Sequence, residues 1–287
     1  MITPRKAACR LAAFLIACVP LALAQGTYTQ IDYPGATLTE VRGINSAGDI
    51  TGSYLDNAGI ENGFLLREGA YTDISYSNLP HTLVLGINDF DKVVGYAYDK
   101  GPAIGFSYDL QTQTFTTIKF PGARSTWPTA INNAGKIAGY FVESGQQRGF
   151  ELVNSNYHLI NPPGSTLTYV FGIAASGAVV GNGFAPNPFN FFFNGQYRTL
   201  PLAGLQESMV VGINGAGTAL VGFYKVSDGV YTGFLYQNKT FQQIQFPFGL
   251  NTYAIGINTS GQIVGFFYDA NHEHGFLWTP PSDAIKK

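Results

Sequence analysis

The chain has 287 residues, 45% of them hydrophobic and 14% aromatic, and its formal net charge is -2 with only 12% of residues charged. So thin and balanced a charge excludes an electrostatic nucleic-acid surface, which needs a basic excess to displace counterions. The 35 glycines, set among aromatic and β-branched residues, describe short strands and tight turns with enough apolar mass for a sizeable core.

The first segment, "MITPRKAACRLAAFLIACVPLALAQG", places Arg5, Lys6 and Arg10 ahead of an apolar run ending in Ala22, Leu23 and Ala24. That is the layout of a secretory signal with a small-residue cleavage site. Residues 1–24 are therefore expected to be a signal peptide and the mature chain to start at Gln25, secreted or periplasmic. Leu15 to Cys18 also has the form of a lipoprotein box, so a lipid anchor on Cys18 is the alternative. Cys9 and Cys18 are the only cysteines, and cleavage after Ala24 leaves no thiol and no disulfide. No later apolar run reaches the roughly 18 residues of a membrane span.

Downstream, "GINSAGDITGSYLD" from Gly43 recurs in variant form from Gly86, Ala130, Gly172, Gly212 and Gly256. The six isoleucines Ile44, Ile87, Ile131, Ile173, Ile213 and Ile257 are separated by 43, 44, 42, 40 and 44 residues, a period that signals a propeller or a solenoid. After each such stretch comes a Gly-Phe-like pair, from Gly63-Phe64 to Gly275-Phe276, with Asn190-Phe191 as the variant, and then a short run such as "FTTIKFPGA" from Phe115. Segments this short, aromatic and bounded by glycine or proline read as four strands per unit. Asn and Gly of the motif suit the positive φ of a tight turn, and Asp91, which replaces the glycine once, tolerates it too. Residues 28–36, "YTQIDYPGA", copy the fourth strand before any first strand has occurred, and the chain ends after a third strand, "HGFLWT" from His274. A ring uses that displacement to hide its edges, because the N-terminal strand completes the last sheet. The expectation is an all-β, six-bladed β-propeller with four-stranded blades over residues 25–279, the last blade closed by the N-terminal strand, and a tail over 280–287.

The pattern "GIN-xx-G-x-IVG" followed by "HGFLW" resembles the HAF-type extracellular repeat family of bacterial secreted proteins, the match being His274-Gly275-Phe276. The other five units lack the histidine. The resemblance spans essentially the whole mature chain and implies export and repeats, with no established activity, cofactor or catalytic residue to carry over.

Candidate site residues follow from their place in the unit. The loops before each first strand and between second and third strands open on one face, the default ligand face at the mouth of the channel. Five positions before each isoleucine stands a hydroxyl: Thr39, Thr82, Thr126, Thr168, Ser208 and Thr252. These either cap their loops by bonding backbone or ring the channel mouth. The following residue varies as Glu40, Leu83, Trp127, Tyr169, Met209 and Tyr253. Trp127, Tyr169 and Tyr253 there either stack on sugars or hold an apolar ligand, or else pack between blades, and Trp127 with Arg124 is the preferred hot spot. The acids Asp56, Asp99, Glu143 and Asp269 recur twelve positions after the isoleucine as turn formers or, less readily, as ligands. Asp269, His272 and His274 form a partial metal set, while His81 and His158 show no partner. Glu40 and Glu207 are the carboxylates that an acid-base reaction on a glycoside would use. No nucleophile elbow, phosphate-binding loop or zinc-protease helix is present, and nothing calls for a cofactor. The reading is a secreted, non-catalytic propeller binding a glycan, peptide or protein at the channel mouth, with a glycoside hydrolase or lyase and an envelope scaffold as alternatives.

Overall fold

The computed structural model describes residues 26–185, 187–200, 202 and 205–281. The signal-peptide and Cys18 expectations, and residues 282–287 of the tail, lie outside them. The 24 strands, numbered β1 to β24 along the chain, form six four-stranded antiparallel sheets. In the first complete blade β2 (Leu38–Ile44), β3 (Ile50–Leu55), β4 (Glu61–Arg67) and β5 (Ala70–Ile74) lie in that order. The first strands of the other blades are β6 (His81–Ile87), β10 (Ser125–Ile131), β14 (Leu167–Ile173), β18 (Gln206–Ile213) and β22 (Asn251–Ile257). Each first strand touches the next, and β22 touches β2, so these strands stand around a common axis in a closed six-bladed propeller.

The last sheet has the order β1-β24-β23-β22. Here β1 (Thr27–Ile31) pairs with β24 (Glu273–Thr279), from Thr27 opposite Thr279 to Ile31 opposite Gly275, and β23 (Ile263–Tyr268) lies inside them. Tyr28 anchors this closure. Its ring stands edge-on to Phe246 at 5.6 Å, and its hydroxyl accepts a hydrogen bond from the Gln245 amide at 3.0 Å.

One contact repeats in every blade. The phenylalanine of the Gly-Phe-like pair is fully buried in all six: Phe64, Phe106, Phe150, Phe191, Phe234 and Phe276. Opposite Phe64 stands Gly52, whose hypothetical Cβ would lie 2.0 Å from the Glu40 carbonyl oxygen and 3.0 Å from the Phe64 ring. The "VG" glycine thus makes room for the ring that fills the space between sheets. The turn chemistry is as the sequence expects, with Asp91 at φ 58° where the other units have glycine.

Candidate functional site

The asparagine of each "GIN" does more than turn the chain. Asn45, Asn88, Asn132, Asn214 and Asn258 are all buried. Within its own turn the Asn45 side-chain oxygen accepts from the Ala47 and Asp49 amides at 3.1 and 2.9 Å. Its amide then donates across the blade boundary to the Asn88 carbonyl; Asn88 donates to Asn132 at 3.1 Å, Asn132 to Ala174 at 2.9 Å, and Asn258 back to Asn45 at 3.0 Å. A directional run of amides therefore follows the axis at the hairpin end of the first strands from the sixth blade through the first to the fourth, whereas the Asn214 amide stays within its own turn, donating to Thr218 Oγ1 at 3.2 Å. The fourth unit has Ala174 in place of asparagine, and there the Ala175 amide donates to the Gly215 carbonyl at 2.9 Å.

Above these amides, every first strand carries a β-bulge two residues before its isoleucine. An extra residue in one strand re-aims its side chain. The six bulged residues, Arg42, Leu85, Thr129, Phe171, Val211 and Ile255, all line one axial cavity of about 470 Å³. Its floor is aromatic, formed by Tyr96, Tyr140, Phe223, Tyr253 and Phe266. The exposed residues of its lining, such as Ser46, Asp89, Asn133 and Thr259, belong to the hairpin turns. The cavity therefore opens at the asparagine turns, opposite to the face expected from the sequence.

Among the described residues Arg42 is the one cation of this lining. Its guanidinium lies 5.3 Å from the Phe266 ring centroid, a cation-π contact, and pairs with Glu40, the Nε donating to Oε2 at 3.1 Å. Glu40 in turn lies against Glu273, at the start of β24, whose side chain is buried with Oε1 lacking any hydrogen-bond partner. Two carboxyls side by side cannot both ionise cheaply. Burial pushes the Glu273 carboxyl up to about 8, and the neighbouring Glu40 carboxylate adds to the shift. Burial alone would raise Glu40 as well, but the Arg42 guanidinium and the hydrogen bond with Glu273 together hold that carboxyl below its usual range. The pair thus holds one proton, on Glu273, and one charge, on Glu40.

The sequence candidates fall in several places. The hydroxyls Thr39, Thr82, Thr126 and Thr252 are buried, and each accepts from a backbone amide of the loop before it, those of Tyr33, Tyr76, Phe120 and Phe246, at 3.0 to 3.1 Å. Thr168 donates to the Asn161 side-chain oxygen at 3.0 Å, and Ser208 accepts from the Asn190 amide at 3.0 Å. None of the six lines the cavity. Trp127 stacks on Tyr140 at 5.1 Å and backs the floor from behind, Tyr169 stands edge-on to the same tyrosine at 5.1 Å, and Arg124 is exposed in the loop before β10. Of the named aromatic candidates, Tyr253 alone reaches the cavity, stacked on Phe266 at 4.9 Å.

Glu40 and Glu207 are not partners: Glu207 is exposed, at φ 46°, and binds Lys225 at 3.0 Å and the Tyr231 hydroxyl at 3.1 Å. Asp56 caps its own turn through the Ala58 and Ile60 amides. His81 stacks on Tyr98 and approaches Glu61 at 3.6 Å. Asp269, His272 and His274 do converge, with one potential ligand atom from each lying within 4.8 Å of the others. The bulge residues and Glu273 escaped the sequence reading. Strict alternation counted back from the isoleucine places the wrong side chains on the axis once an extra residue intervenes, and only the variable residue before each near-constant glycine marked the position.

No family model matches the sequence, and no curated protein matches it. Among solved structures the chain is similar to the β-propeller domain of the Trilobed protease from Pyrococcus furiosus, with a TM-score of 0.56 and 12% identity over 85% of this chain and 81% of that one. It is similar to a streptogramin B lyase, with a TM-score of 0.55 and 13% identity over 89% and 98%. It is also similar to a variant of the Aleuria aurantia lectin in complex with Fucα1-6GlcNAc, with a TM-score of 0.57 and 12% identity over 86% and 94%. A protease domain, a lyase and a lectin share the architecture, so the likeness speaks for the fold alone. The protease domain is described as having an open velcro topology, whereas here β1 completes the last sheet.

Proposed function

We propose that this chain is an exported binding protein, a divergent member of the HAF-type extracellular repeat proteins, that takes a small ligand into its axial cavity without transforming it. The observation that carries the reading is the cavity itself: about 470 Å³, apolar and aromatic walls, and Arg42 as its one cation among the described residues. Ligand sites have this size and this composition, with few polar groups to fix orientation. The ligand that suits it has a flat apolar body to lie on the Tyr96, Tyr140 and Phe266 rings and an acceptor or anionic group turned to Arg42. Such a ligand enters between the hairpin turns, past Asp89 and Asn133. The leader segment supplies the argument for export, and among the described residues no helix is long and apolar enough to cross a membrane.

A thermal-shift panel of benzoate, indole-3-acetate, monosaccharides and disaccharides tests the reading, because a ligand of the folded state raises the melting temperature by mass action. Trp127 offers a second readout, since it stacks on Tyr140 of the floor. The expected result is stabilisation by the aromatic carboxylates, lost in Leu85→Trp, which fills the cavity. Stabilisation that persists in Leu85→Trp, or no response to any member of the panel, refutes it. A catalytic reading draws on Glu40 beside protonated Glu273, a base next to an acid; it requires turnover abolished by Glu40→Gln.

A further inference from the structure

The hairpin between β23 and β24 carries a second constellation, facing away from the axis. Asp269 opens the turn, and its Oδ1 accepts from the Asn271 and His272 amides, both at 2.7 Å. That leaves Oδ2 free, and it points at His274 Nε2 across 3.4 Å. His272 and His274 are two apart, so their rings share one side of the hairpin while Glu273 between them is buried on the other, beside Glu40. The two imidazole centroids are 6.0 Å apart.

The far side of His274 is fixed as well. Its Nδ1 lies 2.8 Å from Asp32 Oδ1, and Asp32 Oδ2 receives the Gln30 side-chain amide at 2.7 Å. The Gln30 side-chain nitrogen also lies 3.0 Å from Nδ1; in the tautomer that donates from Nδ1 to Asp32, the Nε2 lone pair faces the Asp269 carboxylate. Either a ring proton on Nε2 or a metal ion satisfies that contact, and the third donor, His272, within 4.8 Å of both, is what a metal ion adds. The Phe267 ring, stacked on His274 at 5.2 Å, holds the imidazole in plane. Carboxylate, histidine and an open coordination position in line is the arrangement by which proteins orient metal-ligating histidines.

We propose that Asp269 Oδ2, His272 and His274 Nε2 form a site for a divalent transition-metal ion such as Zn²⁺, with Asp32 as the positioning residue behind His274. Two imidazoles and one carboxylate suit a borderline ion, and three protein ligands leave a position for water or a further ligand. Ca²⁺ and Mg²⁺, which prefer all-oxygen shells, are poor occupants. The three ligands belong to the β23–β24 hairpin, whereas Asp32 follows β1. Metal bound here therefore tightens the joint at which the N-terminal strand closes the ring.

The test is calorimetric titration of the tag-free chain with ZnCl2, CaCl2 and MgCl2 at pH 7.5, paired with melting curves. One equivalent of Zn²⁺ is expected to bind and raise the melting temperature, with no response to Ca²⁺ or Mg²⁺. His272→Ala, at an exposed turn position whose loss leaves the fold intact, and Asp269→Asn are expected to weaken Zn²⁺ binding by more than tenfold. Asp32→Asn is expected to cost 10- to 100-fold in affinity while the stoichiometry stays at one. His158→Ala, on a remote blade, should bind as the parent does. Zn²⁺ binding undiminished in His272→Ala and Asp269→Asn, an equal response to Ca²⁺, or no heat with any metal at millimolar concentration overturns the assignment.

Discussion

Replacing Glu273 by glutamine leaves Glu40 as the one carboxyl of the pair beside Arg42. In the folded protein burial and Glu40 push the Glu273 carboxyl up to about 8, whereas in the unfolded chain it titrates near 4.3. Between those values the folded state holds a proton that the unfolded state has released. Stability is therefore greatest below the unfolded value and falls as pH rises through the window, by at most about 1.4 kcal/mol per pH unit. Solvent access and the coupling to Glu40 reduce the change from pH 5 to pH 8 to roughly 2 to 3 kcal/mol. Glu40 does not blur the window: its carboxyl is held low, so its contribution is present above the unfolded carboxylate range and is lost only as pH falls below it. Glutamine has the shape of the protonated acid and cannot ionise. Urea denaturation followed by tryptophan fluorescence at pH 5, 6.5 and 8 should show Glu273→Gln within about 0.5 kcal/mol of the parent at pH 5 and about 2 kcal/mol more stable at pH 8. Parallel pH profiles for the two chains would refute the shared-proton account.

Three further changes probe the ring. Tyr28→Ala removes the ring against Phe246 and the Gln245 contact; it should cost about 2 to 3 kcal/mol by urea denaturation, and deleting residues 27–31 should expose the β24 edge and produce oligomers on size-exclusion chromatography. Asn258→Ala strands the Asn45 carbonyl and the Ser260 and Gln262 amides and should cost about 2 to 3 kcal/mol, whereas Thr259→Ala beside it, which loses one exposed contact to Ser46, should stay within about 0.5 kcal/mol. Gly265→Ala would place its Cβ 1.9 Å from the Tyr253 carbonyl oxygen and 3.0 Å from the Phe276 ring; a loss of about 3 kcal/mol or more, or failure to express as a folded monomer, is expected.

The architecture was legible because its determinants are local and repeated: a turn motif at a period in the forties, a buried phenylalanine in every unit, and a fourth strand that arrives before the first. The candidate site was legible only in part. Tyr253 was found because aromatic residues at a variable position are conspicuous, and the convergence of Asp269, His272 and His274 because they are neighbours in sequence. Arg42 and Phe171 were missed because the bulge breaks the parity on which strand reading depends. Glu273 lies 233 positions from Glu40 in a chain of 287, and no local pattern announces a pairing that ring closure alone creates. The hydroxyls were noticed for their regularity, yet a buried side chain bonded to the adjoining loop is regular for architectural reasons.

Ring closure also governs the order in which the chain can fold. Its outermost strand comes first in sequence and cannot pair until the last hairpin exists, and the Asn258 amide finds its acceptor 213 residues upstream. Contacts of that span form late, because the loop entropy must be met before they repay it. A polypeptide threaded through a translocation channel from its N-terminus would carry an unpaired first strand and an open ring until the final thirty or so residues emerged. In a chain exported in that way, completion of the ring would wait for the far side of the membrane.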